Sequence, residues 1–178
     1  VVISALQFAA DRHRHQRRKD EAASPYINHP IALLHLLHQD MGVTDPVVLA
    51  SALLHDTVED TETSLVELEA CFGPEIARVV AQVTDDKSLP KAVRKQHQVD
   101  HAGHLCDRAK LVKLADKICN LQDLAASPPT GWSVARCQEY CHWAKRVVDQ
   151  LRGSHAGLEA QFDRVYDAAI MSCRSSSG

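Results

Sequence analysis

The sequence predicts an all-α protein, a single bundle of about nine to ten helices, on three observations. Apolar residues recur every three or four positions in segment after segment. No stretch of useful length alternates with period two. Helix start and stop residues fall in the gaps between the periodic segments. The 178 residues suit one domain around one core. Neither an internal repeat nor a linker divides the chain, so residues 1–170 are expected to form the domain and 171–178 a disordered tail.

The elements follow in order. "ISALQFAADRHRHQRRK" has Ile3, Leu6, Ala9 and Ala10 at helical spacing and is read as one helix ending in a basic run. "ASPYINHP" is a loop punctuated by Pro25 and Pro30, and Pro30 suits the first position of "PIALLHLLHQDMG", which Gly42 ends. Asp45 caps and Pro46 opens a helix that runs on through "VVLASALLHDTVED". Thr63 or Ser64 caps "LVELEACFG", with Glu67 placed for a capping box. After Gly73 come "PEIARVVAQVTDD", the more polar "LPKAVRKQHQVDHAG", and "DRAKLVKLADKICNLQDLA" with a broad apolar face. "SPPTG" breaks the pattern before "WSVARCQEYCHWAKRVVDQLRG" and "HAGLEAQFDRVYDAAI".

Composition narrows the function classes. A net charge of −3 and a pI near 6.4 give no overall basic field for nucleic acid. No apolar run is long enough to span a bilayer, and the first residues are not signal-like. The six cysteines form no CxxC pair and sit mostly within helical patterns, which suits free thiols in a reducing, cytoplasmic setting. Of the eleven histidines, His13, His15, His97, His101, His104 and His155 lie in polar stretches and are expected at the solvent.

The chemistry concentrates in "ALLHDTVEDTETS". On a helix, positions four apart share a face, so His55 lies over Glu59 and Asp56 over Asp60, and all four can point into one cavity. Negative charge at a helix C-terminus opposes the macrodipole, and a cation would compensate it. His55 and Asp56 can bind one divalent ion while Glu59 and Asp60 orient or deprotonate an activated water. Further ligands must come from elsewhere. Asp116 stands beside the apolar face of "KLVKLADKICNL", where a carboxylate is costly unless paired or bound to metal, and Asn120 follows four residues on. His29 in "YINHP" is a third candidate. Two histidines and two aspartates form a mixed nitrogen–oxygen set suited to Mn²⁺, Fe²⁺ or Zn²⁺. The basic run "RHRHQRRK" reads first as a solvated helix end. Its second possible use is anion binding, with Arg18 forking a phosphate or stacking on a base and Lys19 neutralising a phosphate. Lys113 and Lys117 could serve likewise, although helix lysines are usually exposed.

These segments resemble the HD-domain metal-dependent phosphohydrolases, in particular the hydrolase domain of the RelA/SpoT alarmone enzymes. "RRKD", "PYINHP", "ALLHDTVEDT", "FGPEI", "VTDDK", "KLVKLADKICNL" and "WAKRVVDQLRG" occur in that family's order and spacing. The resemblance implies an HD-domain bundle in which His29, His55, Asp56 and Asp116 bind Mn²⁺. It implies that Glu59 and Asp60 position or deprotonate the attacking water, and that Arg18, Lys19 and Asn120 contact a small nucleotide. The implied reaction removes the 3′-pyrophosphate of ppGpp. The alternatives are removal of the 2′-phosphate of NADPH and a non-catalytic nucleotide sensor, against which the intact water-activating pair argues. One departure concerns the loop before PYxxHP. The family usually has a glycine there, whereas this chain reads "EAASPY".

Overall fold

The computed structural model describes residues 1–20 and 22–175. Ten α-helices occur among them: α1 (Val2–Arg12), α2 (Asn28–His35), α3 (Pro46–Leu54), α4 (Thr57–Asp60), α5 (Leu65–Phe72), α6 (Pro74–Val83), α7 (Lys91–His101), α8 (Asp107–Ala126), α9 (Val134–Asp149) and α10 (Ala156–Ser175). A π turn, Leu36–Asp40, extends α2, and a 3₁₀ turn, Ala102–His104, follows α7. The extended pairing among the described residues is one isolated bridge between Arg17 and Pro25.

Helices α3 and α8 form the centre. Val48 to Leu54 are all buried, as expected of a helix whose apolar surface runs all round. Helix α8 buries Val112, Leu114, Ala115, Ile118 and Leu121, and packs against α2, α3, α6, α9 and α10. Helices α1, α5 and α6 close a second apolar cluster around Leu53, Leu54, Leu68 and Val80. The predicted caps hold. Asp45 accepts from the Val47 amide with Pro46 at the first helical position, and Ser64 accepts from the Glu67 amide. The capping box is only half made, because the Glu67 carboxylate turns to Arg12 instead.

Four expectations need correction. The first helix stops at Arg12 rather than running through the basic run. His13 turns inward, Gln16 donates its amide to the His13 carbonyl, and Arg17 joins Pro25, so tertiary contacts override helical periodicity. Helix α2 starts at Asn28, which makes His29 a helical residue rather than a loop one. The helix expected through residue 60 breaks at His55–Asp56. There the His55 Nδ1–H donates to the Ala52 carbonyl (2.9 Å) and the Thr57 hydroxyl to the Leu54 carbonyl (2.7 Å), both competing with the backbone ladder. The disordered tail expected from residue 171 does not begin there, since Met171 to Ser175 belong to α10 and Cys173 is buried; residues 176–178 lie outside the described residues. All six cysteines are free thiols, with Cys71 and Cys106 exposed and the rest buried.

Candidate active site

Three helices deliver the candidate ligands to one point. His29 sits in the first turn of α2, His55 closes α3, and Asp116 lies midway along α8, all three buried. One ligand atom from each lies within 4.8 Å of the others. His29 Nε2 is 3.2 Å from Asp116 Oδ1, and His55 Nε2 is 2.9 Å from Asp56 Oδ2 and 3.7 Å from Asp116 Oδ1. The helix break serves this arrangement. The bond from His55 Nδ1 to Ala52 fixes the tautomer and leaves Nε2 as the electron-pair donor. That buried Nε2 has no hydrogen-bond partner despite two carboxylates close by. An orphaned lone pair facing convergent carboxylates is the donor set a divalent ion requires, so the residues fit a metal.

The electrostatics agree. Burial alone would lower the His55 pKa, but the facing carboxylates of Asp56 and Asp116 raise it to about 10. Burial pushes the Asp56 and Asp116 carboxyls up. His55 outweighs this at Asp56, and Lys117 with both histidines outweighs it at Asp116, so both fall below the usual carboxylate range. Asp116 is held further by Asn120 Nδ2 (2.6 Å) and Lys117 Nζ (3.1 Å), and Tyr26 donates its hydroxyl to Asp56. Burial and the adjacent Asp56 hold the Tyr26 phenol protonated.

Glu59 and Asp60, on the short helix α4, line the same cavity of about 190 Å³ as His29, His55, Asp56 and Asp116. The expected convergence therefore holds, although it is reached through a break and not along one continuous face. Glu59 accepts from the Asp85 amide (3.1 Å) and stands 3.9 Å from Arg94. Burial, with the charges of Asp56, Asp85 and Asp60, raises its pKa against that one amide bond. Asp60 accepts from Gln16 Nε2 (3.0 Å) and from Lys87.

A larger cavity of about 630 Å³ adjoins the first and shares Tyr26, His29, Asp60 and Asn120 with it. Arg18 and Lys19 both line it. Arg18 is already engaged. It pairs with Asp123, reaches Asn120 Oδ1 at 3.4 Å and lies 5.7 Å over the Tyr26 ring. The far wall holds Trp132 and Tyr140, rings 5.7 Å apart, with Arg136 lying 4.4 Å over Trp132. Sequence reasoning did not single out these residues. Trp132 precedes α9, whereas Arg136 and Tyr140 lie on it, and their mutual spacing of four in the sequence was the available signal. Gln16 and Lys87, both bonded to Asp60, carried no such signal. Lys113 and Lys117 are buried rather than exposed. Lys113 donates to the Val83 carbonyl (2.9 Å), and Lys117 lies 4.4 Å over the Trp143 ring. His13 is buried as well, against the expectation that it is solvated.

Comparison with known proteins agrees with this geometry. A family model described as HD domain matches residues 5–140. The Danio rerio guanosine-3′,5′-bis(diphosphate) 3′-pyrophosphohydrolase MESH1 is 52% identical over 166 residues, covering 93% of this chain and 92% of its own. The Homo sapiens protein of the same name is 52% identical over 165 residues, covering 93% and 92%. A solved structure of a metazoan ortholog of SpoT, described as hydrolysing ppGpp and acting in starvation responses, superimposes with a TM-score of 0.91 at 48% identity, covering 93% of both chains. No helix among the described residues is long and apolar enough to cross a membrane. Matched to the family model along most of its length, and half identical to these relatives across nearly all of it, the chain belongs to the HD-domain family, alongside the guanosine-3′,5′-bis(diphosphate) 3′-pyrophosphohydrolases.

Proposed function

We propose that the protein hydrolyses the 3′-pyrophosphate of ppGpp, giving GDP and pyrophosphate, with Mn²⁺ held by His29, His55, Asp56 and Asp116. The observation that carries this reading is the pair of joined cavities. A small, acidic, histidine-bearing chamber opens into a cleft of about 630 Å³ lined by cations and aromatic rings. That volume suits a nucleotide-sized ligand. Relatives half identical to this chain are named for the same reaction.

A divalent cation bound there would polarise the phosphoryl group and acidify a water. The protein's own residues do the rest. Glu59, whose pKa is raised by burial and neighbouring carboxylates, accepts a proton from the water. Asp60, with one lone pair on each oxygen still free beyond its bonds to Gln16 and Lys87, orients that water. The water oxygen bonds to the phosphorus on the ribose 3′-oxygen and the P–O3′ bond breaks. The proton accepted by Glu59 balances the one the departing 3′-oxygen needs. Arg18, Lys19 and Asn120 hold the nucleotide, with Lys19 acting as a point charge on phosphate. The test is a pyrophosphate-release assay on ppGpp with Mn²⁺, repeated after chelation, with phosphate release from NADPH measured in parallel. Pyrophosphate release that vanishes on chelation is expected. Turnover of NADPH alone would replace this reading with the 2′-phosphatase one.

A further inference from the structure

His13 is an anomaly. It lies in the basic run "RHRHQRR", yet it is only 2% exposed, while its neighbours Arg14 and His15 face the solvent. A buried imidazole carries a desolvation cost and needs compensating contacts. His13 has two. Its Nδ1 lies 2.6 Å from Gln16 Oε1, and its ring lies 4.8 Å from that of Tyr26, inclined by 36°.

Both contacts lead to the candidate site. The Gln16 amide bridges His13 and Asp60, with Nε2 3.0 Å from Asp60 Oδ2. An ionised carboxylate only accepts, so the Gln16 NH₂ must face Asp60 and its carbonyl oxygen must face His13. A carbonyl oxygen also only accepts, so His13 must carry its proton on Nδ1. Burial lowers the His13 pKa, against the pull of Gln16, Asp56 and Asp60, which keeps the ring neutral with that single proton. The remaining Nε2, buried without a partner, is then an unpaired acceptor rather than an orphaned N–H, the less costly of the two. Tyr26, braced by the same ring, donates its hydroxyl to Asp56.

We infer that His13 and Gln16 are positioning residues for the hydrolytic reaction. The Nδ1–H of His13 fixes the orientation of the Gln16 amide, which in turn fixes the Asp60 carboxylate, while the His13 ring braces Tyr26 against Asp56. This rests on the proposed reaction only in giving Asp60 its role. The bond directions follow from the geometry alone. Without the Nδ1 donor the Gln16 amide can flip, presenting its carbonyl to Asp60 and repelling it.

Two substitutions separate the donor from the packing. His13→Phe keeps a ring against Tyr26 and deletes the donor. His13→Asn keeps an N–H donor close to the Nδ1 position and deletes the ring. His13→Phe is expected to lower kcat for ppGpp about tenfold or more with KM unchanged, the range found when partners of site residues are removed. His13→Asn is expected to retain most of the wild-type kcat. Equal losses in both variants, or a loss confined to KM, would overturn the inference. The imidazole ¹⁵N shifts of His13 in the wild-type protein give an answer that needs no turnover. The Nδ1–H tautomer is expected, and a neutral ring protonated on Nε2 refutes the relay. If the wild-type protein releases no pyrophosphate from ppGpp, the proposed reaction fails, and the tautomer still decides whether the relay exists.

Discussion

The two joined cavities differ in how they are built. The small chamber is walled by helix residues whose polar atoms are already fixed: His55 by Ala52, Asp116 by Asn120 and Lys117, Glu59 by the Asp85 amide. The larger cleft is walled by the loop that carries Arg18 and Lys19, by the C-terminal end of α8, and by Trp132 and Tyr140, where contacts such as Arg18 with Asp123 are partly solvent-exposed. Chemistry needs groups held in one geometry before substrate arrives, whereas binding tolerates groups that settle around it. Changes in the chamber should therefore act on kcat and changes in the cleft on KM.

The largest effect should come from the ligands. His55→Ala or Asp116→Ala is expected to abolish metal binding and lower turnover by on the order of 10³-fold or more, equivalent to the several kcal/mol a catalytic metal supplies. Helical circular dichroism should persist. A variant that keeps wild-type turnover after metal stripping would show that the chamber does not hold the catalytic ion. Metal uptake should also depend on pH with a definite sign. In the ion-free protein the His55 pKa is raised to about 10, so the stabilisation from its charged form is complete below the unfolded value near 6.5 and is lost as pH rises through about 10. A bound ion must displace that proton, so its affinity should rise about tenfold per pH unit between these limits. Calorimetric titration at two pH values within that window measures the slope; a flat profile would show that no His55 proton is displaced, and a His55→Ala variant that binds the ion as tightly as the wild type would remove His55 from the ligand set.

Next in size are the carboxylates beside the ligands. Glu59→Gln is expected to keep the metal and lower kcat by roughly 10²-fold, at the lower end of general-base contributions. Because burial raises the Glu59 pKa, the wild-type kcat should fall on the acid side at a higher pH than an ordinary carboxylate would give. That limb should be missing from Glu59→Gln. An unchanged acid limb in the variant would assign it to another group.

The same contrast explains what was legible in the sequence. His55, Asp56, Glu59 and Asp60 are close along the chain, and Asp116 betrays itself as a charge on an apolar face, so the chamber could be read from spacing and chemistry. The break at His55–Asp56 could not, because apolar periodicity continues across it while side-chain bonds to Ala52 and Leu54 interrupt the ladder. The cleft is assembled from residues far apart in sequence. Arg18 meets Asn120 and Asp123 across about a hundred positions, and no local pattern encodes such a meeting. Burial of His13, Lys113 and Lys117 contradicts the habits of their residue types and became visible only with their partners Gln16, Val83 and Asp116.

In the cleft, Arg18→Lys keeps the charge and removes the planar guanidinium that pairs with Asp123 and overlies Tyr26. It is expected to raise KM for ppGpp about tenfold with kcat nearly unchanged, a loss of ~1–2 kcal/mol typical of a partly desolvated stacked contact. Steady-state kinetics measures both constants. A fall in kcat at constant KM would move Arg18 from the binding cleft into the machinery of the chamber and break the division between the two cavities.

The smallest effect concerns the loop that frames the cleft. Ala23 has φ of 47°, in the left-handed region that glycine enters freely and other L-residues avoid. This is the stretch in which the resembling family usually has glycine. Asp20 accepts from the Ser24 amide and hydroxyl, at 2.9 and 2.6 Å, and the Arg18 amide donates to the Ser24 carbonyl at 2.8 Å, so the ends of the turn are pinned around the strained residue. Ala23→Gly removes a left-handed penalty of roughly 1–2 kcal/mol and adds back roughly 0.5–1 kcal/mol of unfolded-chain freedom. A net stabilisation of about 0.5–1 kcal/mol is expected, visible as a rise of a few degrees in Tm. Since the pinned ends also carry Arg18, the same variant should leave kcat alone and change KM by no more than about twofold, in keeping with its small energy. A destabilised variant would mean that the turn is held by its hydrogen bonds and that Ala23 carries no strain worth relieving.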